Sequence, residues 1–132
     1  MKRLSLLSLI LPLLLGAATA AAADTSVESP GYLLRYADIG GGNIVFTYEG
    51  DLWLVPEEGG EARRLTTHSG SEVMAKISPD GKLIAFTAEY DGGNDIYVMD
   101  AAGGEPRRLT WHPANDTMLD WCPDGSGVII TS

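Results

Sequence analysis

Past residue 31 the apolar residues fall in short runs, and none of them has helical spacing. Ile44–Tyr48 and Asp51–Val55 are rich in β-branched and aromatic residues, and only Glu49-Gly50 separates them, which predicts a tight hairpin. Leu52 and Leu54 fall on one face of the second run, Trp53 and Val55 on the other, so this strand is predicted to be covered on both sides. Pro56 to Gly60 predicts a turn into an arginine-bearing outer strand, Ala62–Thr66. Glu72–Ile77 follows, with Val73, Ala75 and Ile77 expected on one face. Ahead of these runs, Tyr32–Tyr36 predicts a short strand and Gly40 to Asn43 a turn.

The same order of elements then comes round again. Gly59–Gly81 (GGEARRLTTHSGSEVMAKISPDG) returns without a gap as Gly103–Gly125 (GGEPRRLTWHPANDTMLDWCPDG), with an offset of 44 and 12 of 23 positions identical. Unrelated segments would share roughly one or two. DLWLV at Asp51 recurs as DIYVM at Asp95, and IVFT at Ile44 as IAFT at Ile84. In the second copy Thr117, Leu119 and Trp121 are expected on one face, and Pro106 opens the outer strand, where a missing N–H breaks no ladder. Pro79-Asp80-Gly81 and Pro123-Asp124-Gly125 predict turns in which Pro sets φ, Asp bonds its own backbone and Gly takes a positive φ. That turn role already accounts for Asp80 and Asp124, so neither is needed as a metal ligand or an acid.

Four short strands per repeat of about 40–45 residues is the period of a propeller blade, a sheet with two apolar faces that neighbours must sandwich. The predicted fold is all-β, a β-propeller of four-stranded antiparallel blades, with repeats over residues 43–132 after a leader at 24–42. Val128–Ser132 aligns with the second strand of a third unit. Two blades and the start of a third are fewer than the four to eight of a closed ring, so the chain reads as part of a longer protein.

Residues 1–23 read as an address. Lys2 and Arg3 precede a leucine-rich core and an alanine-rich stretch with several A-x-A sites, the layout of a secretory signal peptide; an uncleaved membrane anchor is the alternative. The expected location is the periplasm or the outside of the cell, and the remaining chain is not expected to span a membrane. The net charge of the whole chain is −9. Removing Lys2 and Arg3 leaves seven basic against eighteen acidic residues, or −11, which disfavours nucleic acid and anionic membranes as partners. Cys122 is the only cysteine, so no intrachain disulfide forms, and with no base near it in sequence it reads as a buried inert thiol.

Candidate chemistry is sparse. His68 and His112 occupy equivalent repeat positions, but facing different directions around a disc they would not converge on a metal. Ser69, Ser71 and Ser78 have no base and acid at a nucleophile's spacing. Arg63, Arg64, Arg107 and Arg108 recur as pairs, one of each expected to meet solvent and cross-strand acids. Trp53, Trp111 and Trp121 are expected to pack between blades. No catalytic residue, cofactor site or metal site is assigned.

The unit SPDG–IAFT–DIYVMD–GGEPRRLT resembles the TolB/tricorn type of propeller repeat. The opening stretch GYLLRYADIGGGNIVFTYEGDLWLVPEEGGEARRLTTHSG, directly behind the export signal, is similar to the start of bacterial tricorn-like serine peptidases of the S41 family. The resemblance covers roughly residues 31–132. It implies a parent enzyme, able to form homo-oligomers, that degrades peptides or unfolded proteins. Its propeller would gate or guide substrate, while a PDZ-like domain and the catalytic serine and histidine lie farther downstream. A TolB-like docking platform without chemistry is the alternative, and a prolyl-oligopeptidase-like enzyme a third.

Overall fold

The computed structural model describes residues 33–132, and the predicted signal peptide lies outside them. The described residues are all-β. Strands β1 (Arg35–Gly40), β2 (Asn43–Tyr48), β3 (Asp51–Pro56) and β4 (Arg63–Arg64) form one antiparallel sheet in that order. Strands β5 (Glu72–Ile77), β6 (Leu83–Ala88), β7 (Asp95–Asp100) and β8 (Arg107–Arg108) form a second sheet with the same order. Strands β9 (Thr117–Trp121) and β10 (Val128–Thr131) pair as a two-stranded third sheet. These are two blades and the inner half of another, as the repeat predicts. No helix among the described residues is long and apolar enough to cross a membrane.

The hairpin geometry follows from the turn residues. Tyr48 pairs with Asp51 around Glu49 and Gly50, whose φ values of 52° and 92° are both positive. That is the turn whose twist matches the flanking strands. Gly41 and Gly42 (φ 56° and 74°) turn β1 into β2 in the same way.

The core lies between sheets rather than within one. Period-two alternation sends Val45, Leu52 and Leu54 of the first blade against Ala75, Ile77, Ile84, Phe86 and Met99 of the second. The opposite face of the second blade sends Ala85, Ile96 and Val98 against Met118 and Trp121 of β9. Strand β7 is therefore covered on both faces, whereas in β3 the Trp53 and Val55 face is only half-buried. Trp121 also ties neighbouring inner strands together, its indole N–H donating to Lys76 O at 2.9 Å.

Four details differ from the sequence reading. The first strand is Arg35–Gly40, not Tyr32–Tyr36, and it already belongs to blade one. The outer strand keeps only Arg63–Arg64 of the predicted Ala62–Thr66, because Gly59 and Gly60, both at positive φ, bring the chain alongside β3 for two residue pairs. Each inner strand carries a bulge: the registers shift between Arg35 and Asp38, and between Val73 and Lys76, and β9 shifts at the equivalent place. A bulge reverses the alternation beyond it, so Glu72, not Val73, shares the buried set with Ala75 and Ile77. In β9 the same effect buries Met118 with Trp121 and leaves Leu119 44% exposed. Finally, Trp111 is 70% exposed in the crossover after β8 and packs no blade among the described residues.

The blades meet backbone to backbone at their hairpin tips. A Cβ built on Gly81 would lie 2.7 Å from Gly41 Cα, while one on Gly92 would meet nothing within 4 Å. Both glycines have positive φ, 74° and 84°. Gly92→Ala is expected to cost about 1 kcal/mol from backbone strain alone. Gly81→Ala adds a collision between blades and is expected to cost about 3 kcal/mol. Equilibrium urea unfolding of the two variants measures the difference.

Candidate functional site

The described polar residues concentrate where the outer strand of one blade hands the chain to the inner strand of the next. Asp51, the first residue of β3, is buried and takes the Arg64 guanidinium of β4 on Oδ2. Arg64 Nε donates to Thr66 O, which folds the crossover back on the blade. Leu52 N donates to Thr66 Oγ at 2.9 Å and to Glu72 Oε2 at 3.2 Å. Thr66 Oγ donates to Glu72 Oε2, and Tyr90 of the second blade donates its hydroxyl to Oε1 at 2.6 Å. Glu72, the first residue of β5, is thus wholly buried and bonded to both blades.

The repeat rebuilds much of this at the next crossover. Arg108 pairs with Asp95 at 2.6 Å and sends Nε to Thr110 O, and Ile96 N donates to Thr110 Oγ. Asp116 stands where Glu72 stood. These pairings explain why Arg-Leu-Thr recurs: the second arginine of each pair clamps an aspartate, and the threonine caps the next backbone N–H.

The residues singled out from the sequence are structural in this setting. His68 and His112 each accept a backbone N–H two residues on, from Gly70 at 2.9 Å and Ala114 at 3.1 Å, through Nδ1. His68 also packs on Tyr90, ring centroids 3.9 Å apart, while His112 lies in the following crossover. They do not converge, and no group of three or more His, Cys, Asp or Glu among the described residues is arranged to hold a metal. Ser69 and Ser71 are exposed, and Ser78 is buried with its hydroxyl bound to Asp80 and the Leu83 N–H. Asp80 accepts from the Ser78 hydroxyl and the Lys82 N–H, and Asp124 from the Ser126 hydroxyl and N–H, and those bonds hold both carboxyls below the usual range. Cys122 is half-buried, less enclosed than expected.

Arg63 does more than face solvent. Its guanidinium donates to the carbonyls of Ala101 and Ala102, 2.9 and 3.1 Å away, clasping the next blade's β7–β8 turn. Asp38 of β1 joins the inner strands in a similar way, accepting from Lys76 Nζ and Ile77 N at 2.9 Å. Sequence reasoning missed Asp51, Thr66, Glu72 and Tyr90. The signal was present as the common spacing of Thr66 to Glu72 and Thr110 to Asp116. Beside this junction, Leu65, Thr66, His68, Tyr90, Gly104 and Pro106 line an open groove of about 350 Å³. It contains no nucleophile paired with a base.

A chain of repeated sheets whose polar residues serve the joints between them is a propeller scaffold, and comparison assigns its kind. The family model of the tricorn protease N-terminal β-propeller domain matches residues 31–132. The chain belongs to this family. It is 38% identical over 68 residues to tricorn protease homolog 1 of Streptomyces coelicolor, covering 52% of this chain and 6% of the relative. It is 44% identical over 57 residues to a Tricorn-like protease N-terminal subunit of Sulfurisphaera tokodaii, covering 43% of this chain and 29% of the relative. Among solved structures it resembles the tricorn protease, with TM-score 0.65 and 27% identity over 76% of this chain and 11% of that one. TolB from Acinetobacter baumannii shares the fold, with TM-score 0.63 and 24% identity over 72% of this chain and 25% of that one. The chain therefore spans less than a third of each of these proteins.

If the junction holds the blades together, Thr66→Val should strip Glu72 and Leu52 of a shared hydroxyl while keeping side-chain shape. The expected cost is about 1–3 kcal/mol. Thr66→Ser should retain most of the stability. Urea unfolding of both variants tests this.

Proposed function

We propose that this chain is the propeller portion of an exported tricorn-like serine peptidase of the S41 type, which degrades peptides or unfolded proteins. The observation that carries the reading is the family match over residues 31–132, supported by one relative named a tricorn protease homolog and one named a Tricorn-like protease N-terminal subunit. In this reading the propeller admits or guides unfolded substrate and the chemistry belongs to other parts of the parent protein. The described residues support that division of labour, because their serines and histidines are engaged in turns or lie exposed and unpaired with a base. Export rests on residues 1–23, with their basic start, leucine-rich core and A-x-A sites.

A TolB-like docking platform without peptidase activity is the competing reading, favoured by the shared fold. The complete protein separates the two. Incubated with a denatured, fluorescently labelled protein, it is expected to release small fragments, and a serine-directed phosphonofluoridate should abolish the release. Binding of partner proteins with no cleavage would overturn the peptidase reading in favour of the platform. Export is checked separately: the extracytoplasmic protein should lack about the first 23 residues by mass spectrometry.

A further inference from the structure

The first inter-blade junction buries more negative charge than it neutralises. Asp51 and Glu72 come from adjacent blades and share the Leu52 N–H region, yet only Arg64 brings a positive charge, and its side chain is nearly half exposed. Asp51 Oδ1 is buried without a hydrogen-bond partner. Glu72 is fully buried, with three donors around two oxygens. A second carboxylate in the same poorly solvated place disfavours ionisation of Glu72. Thr66, between them, suits either charge state of Glu72, because a hydroxyl can donate or accept.

Elements of both blades and the crossover between them pack around Glu72. From blade one come Asp51, Arg64 through Asp51, and Thr47, whose Oγ donates to Glu72 O at 3.0 Å. The crossover supplies Thr66, and His68 reaches Glu72 only through the face of Tyr90. From blade two come Tyr90 and, behind it, Tyr97, with ring centroids 4.5 Å apart. Glu49 and Glu89 lie nearby but exposed. The balance facing Glu72 is acidic. At the next junction Asp116, one methylene shorter, lies beside the Thr110 and Ser132 hydroxyls, which hold its carboxyl below the ordinary range.

We propose that the junction between the first two blades is a proton-sensitive latch: Glu72 binds a proton as the solution turns mildly acidic, and the two blades then hold together more tightly. The loss of one buried charge relieves its repulsion with Asp51, and the neutral acid keeps Tyr90 and Leu52 as donors and gains Thr66 as an acceptor. Burial pushes the Glu72 carboxyl up, opposed by the Thr66 and Tyr90 hydroxyls and reinforced by Asp51. A group raised in the folded state contributes stability that is fully present below its unfolded value, here the ordinary glutamate value of 4.5, and is lost as pH rises through the folded value. The latch is therefore closed in mild acid and loosened towards neutrality. It stands independently of whether the parent is a peptidase.

The test is urea unfolding of the full chain and of Glu72→Gln from about pH 4.5 to 8, where one proton is at stake. The ratio of the folding equilibrium constant of the wild type to that of the variant should fall with rising pH, by up to about tenfold per unit, and then level off. A ratio independent of pH would overturn the proposal. Should Glu72→Gln fail to fold, carboxyl-carbon NMR of the wild type decides: the Glu72 resonance should titrate above the ordinary glutamate range and move down in Asp51→Asn. Titration at or below that range rules the latch out.

Discussion

A sheet that is apolar on both faces has no stable existence alone, and this constraint shapes everything else in the chain. Phe86 and Ile84 look towards blade one, Ala85, Ile96 and Val98 towards β9, and all five are buried only because sheets stand on either side. Stacking is non-directional, however: two greasy faces can slide. What stops the slide is polar. Arg63 holds two carbonyls of the next blade, Asp38 holds Lys76 and Ile77 N–H, and Glu72 is bonded to both blades at once. The bonds of Asp38 and Glu72 are buried or partly buried, those of Arg63 exposed, and each has a fixed geometry, so together they select one register from the many that apolar contact alone allows.

Much of this was legible in advance, and the failures have a common cause. The 44-residue offset predicted the blades, and Glu49-Gly50 and Pro-Asp-Gly predicted their turns, because those signals are local and depend on backbone conformation. The faces of the inner strands were misread because strict alternation was carried through a bulge. Met74 reaches a φ of 54° there without being glycine, so its residue type gives no warning. One inserted residue moves Glu72 into the core and Leu119 out of it. Trp111 was misplaced for the converse reason: aromatic character predicts burial only where the topology supplies a neighbour, and its crossover position supplies none among the described residues.

The site was harder to read than the fold because its members are distant in sequence. Asp51, Thr66, Glu72 and Tyr90 span four segments, and only packing brings them together. Arginine pairs and histidines draw attention as chemistry, yet here the arginines clamp an aspartate and a turn, and the histidines accept backbone N–H groups. The repeat itself was the better guide. A catalytic residue is needed once, whereas a joint is needed at every blade, so polar residues that recur with the period are first to be read as joints. Arg64/Arg108, Thr66/Thr110 and Asp51/Asp95 all obey that logic.

Differences between the two joints then carry information that their likeness does not. Glu72 and Asp116 are both acids at the same place in the repeat, but the extra methylene lets Glu72 span Leu52 N–H, the Thr66 hydroxyl and the Tyr90 hydroxyl. Asp116 Oδ1 has no such partner among the described residues. If the carboxylate served only to cap the crossover, the shorter acid would do so at both joints. The longer one exchanges a simple cap for a bridge between blades, and the bridge lies next to a second buried acid. The cost of that arrangement depends on pH, since it falls on the ionised form alone. A propeller whose blades are otherwise held by apolar contact and a few fixed bonds thus acquires, at one joint, an adhesion that solution conditions can change.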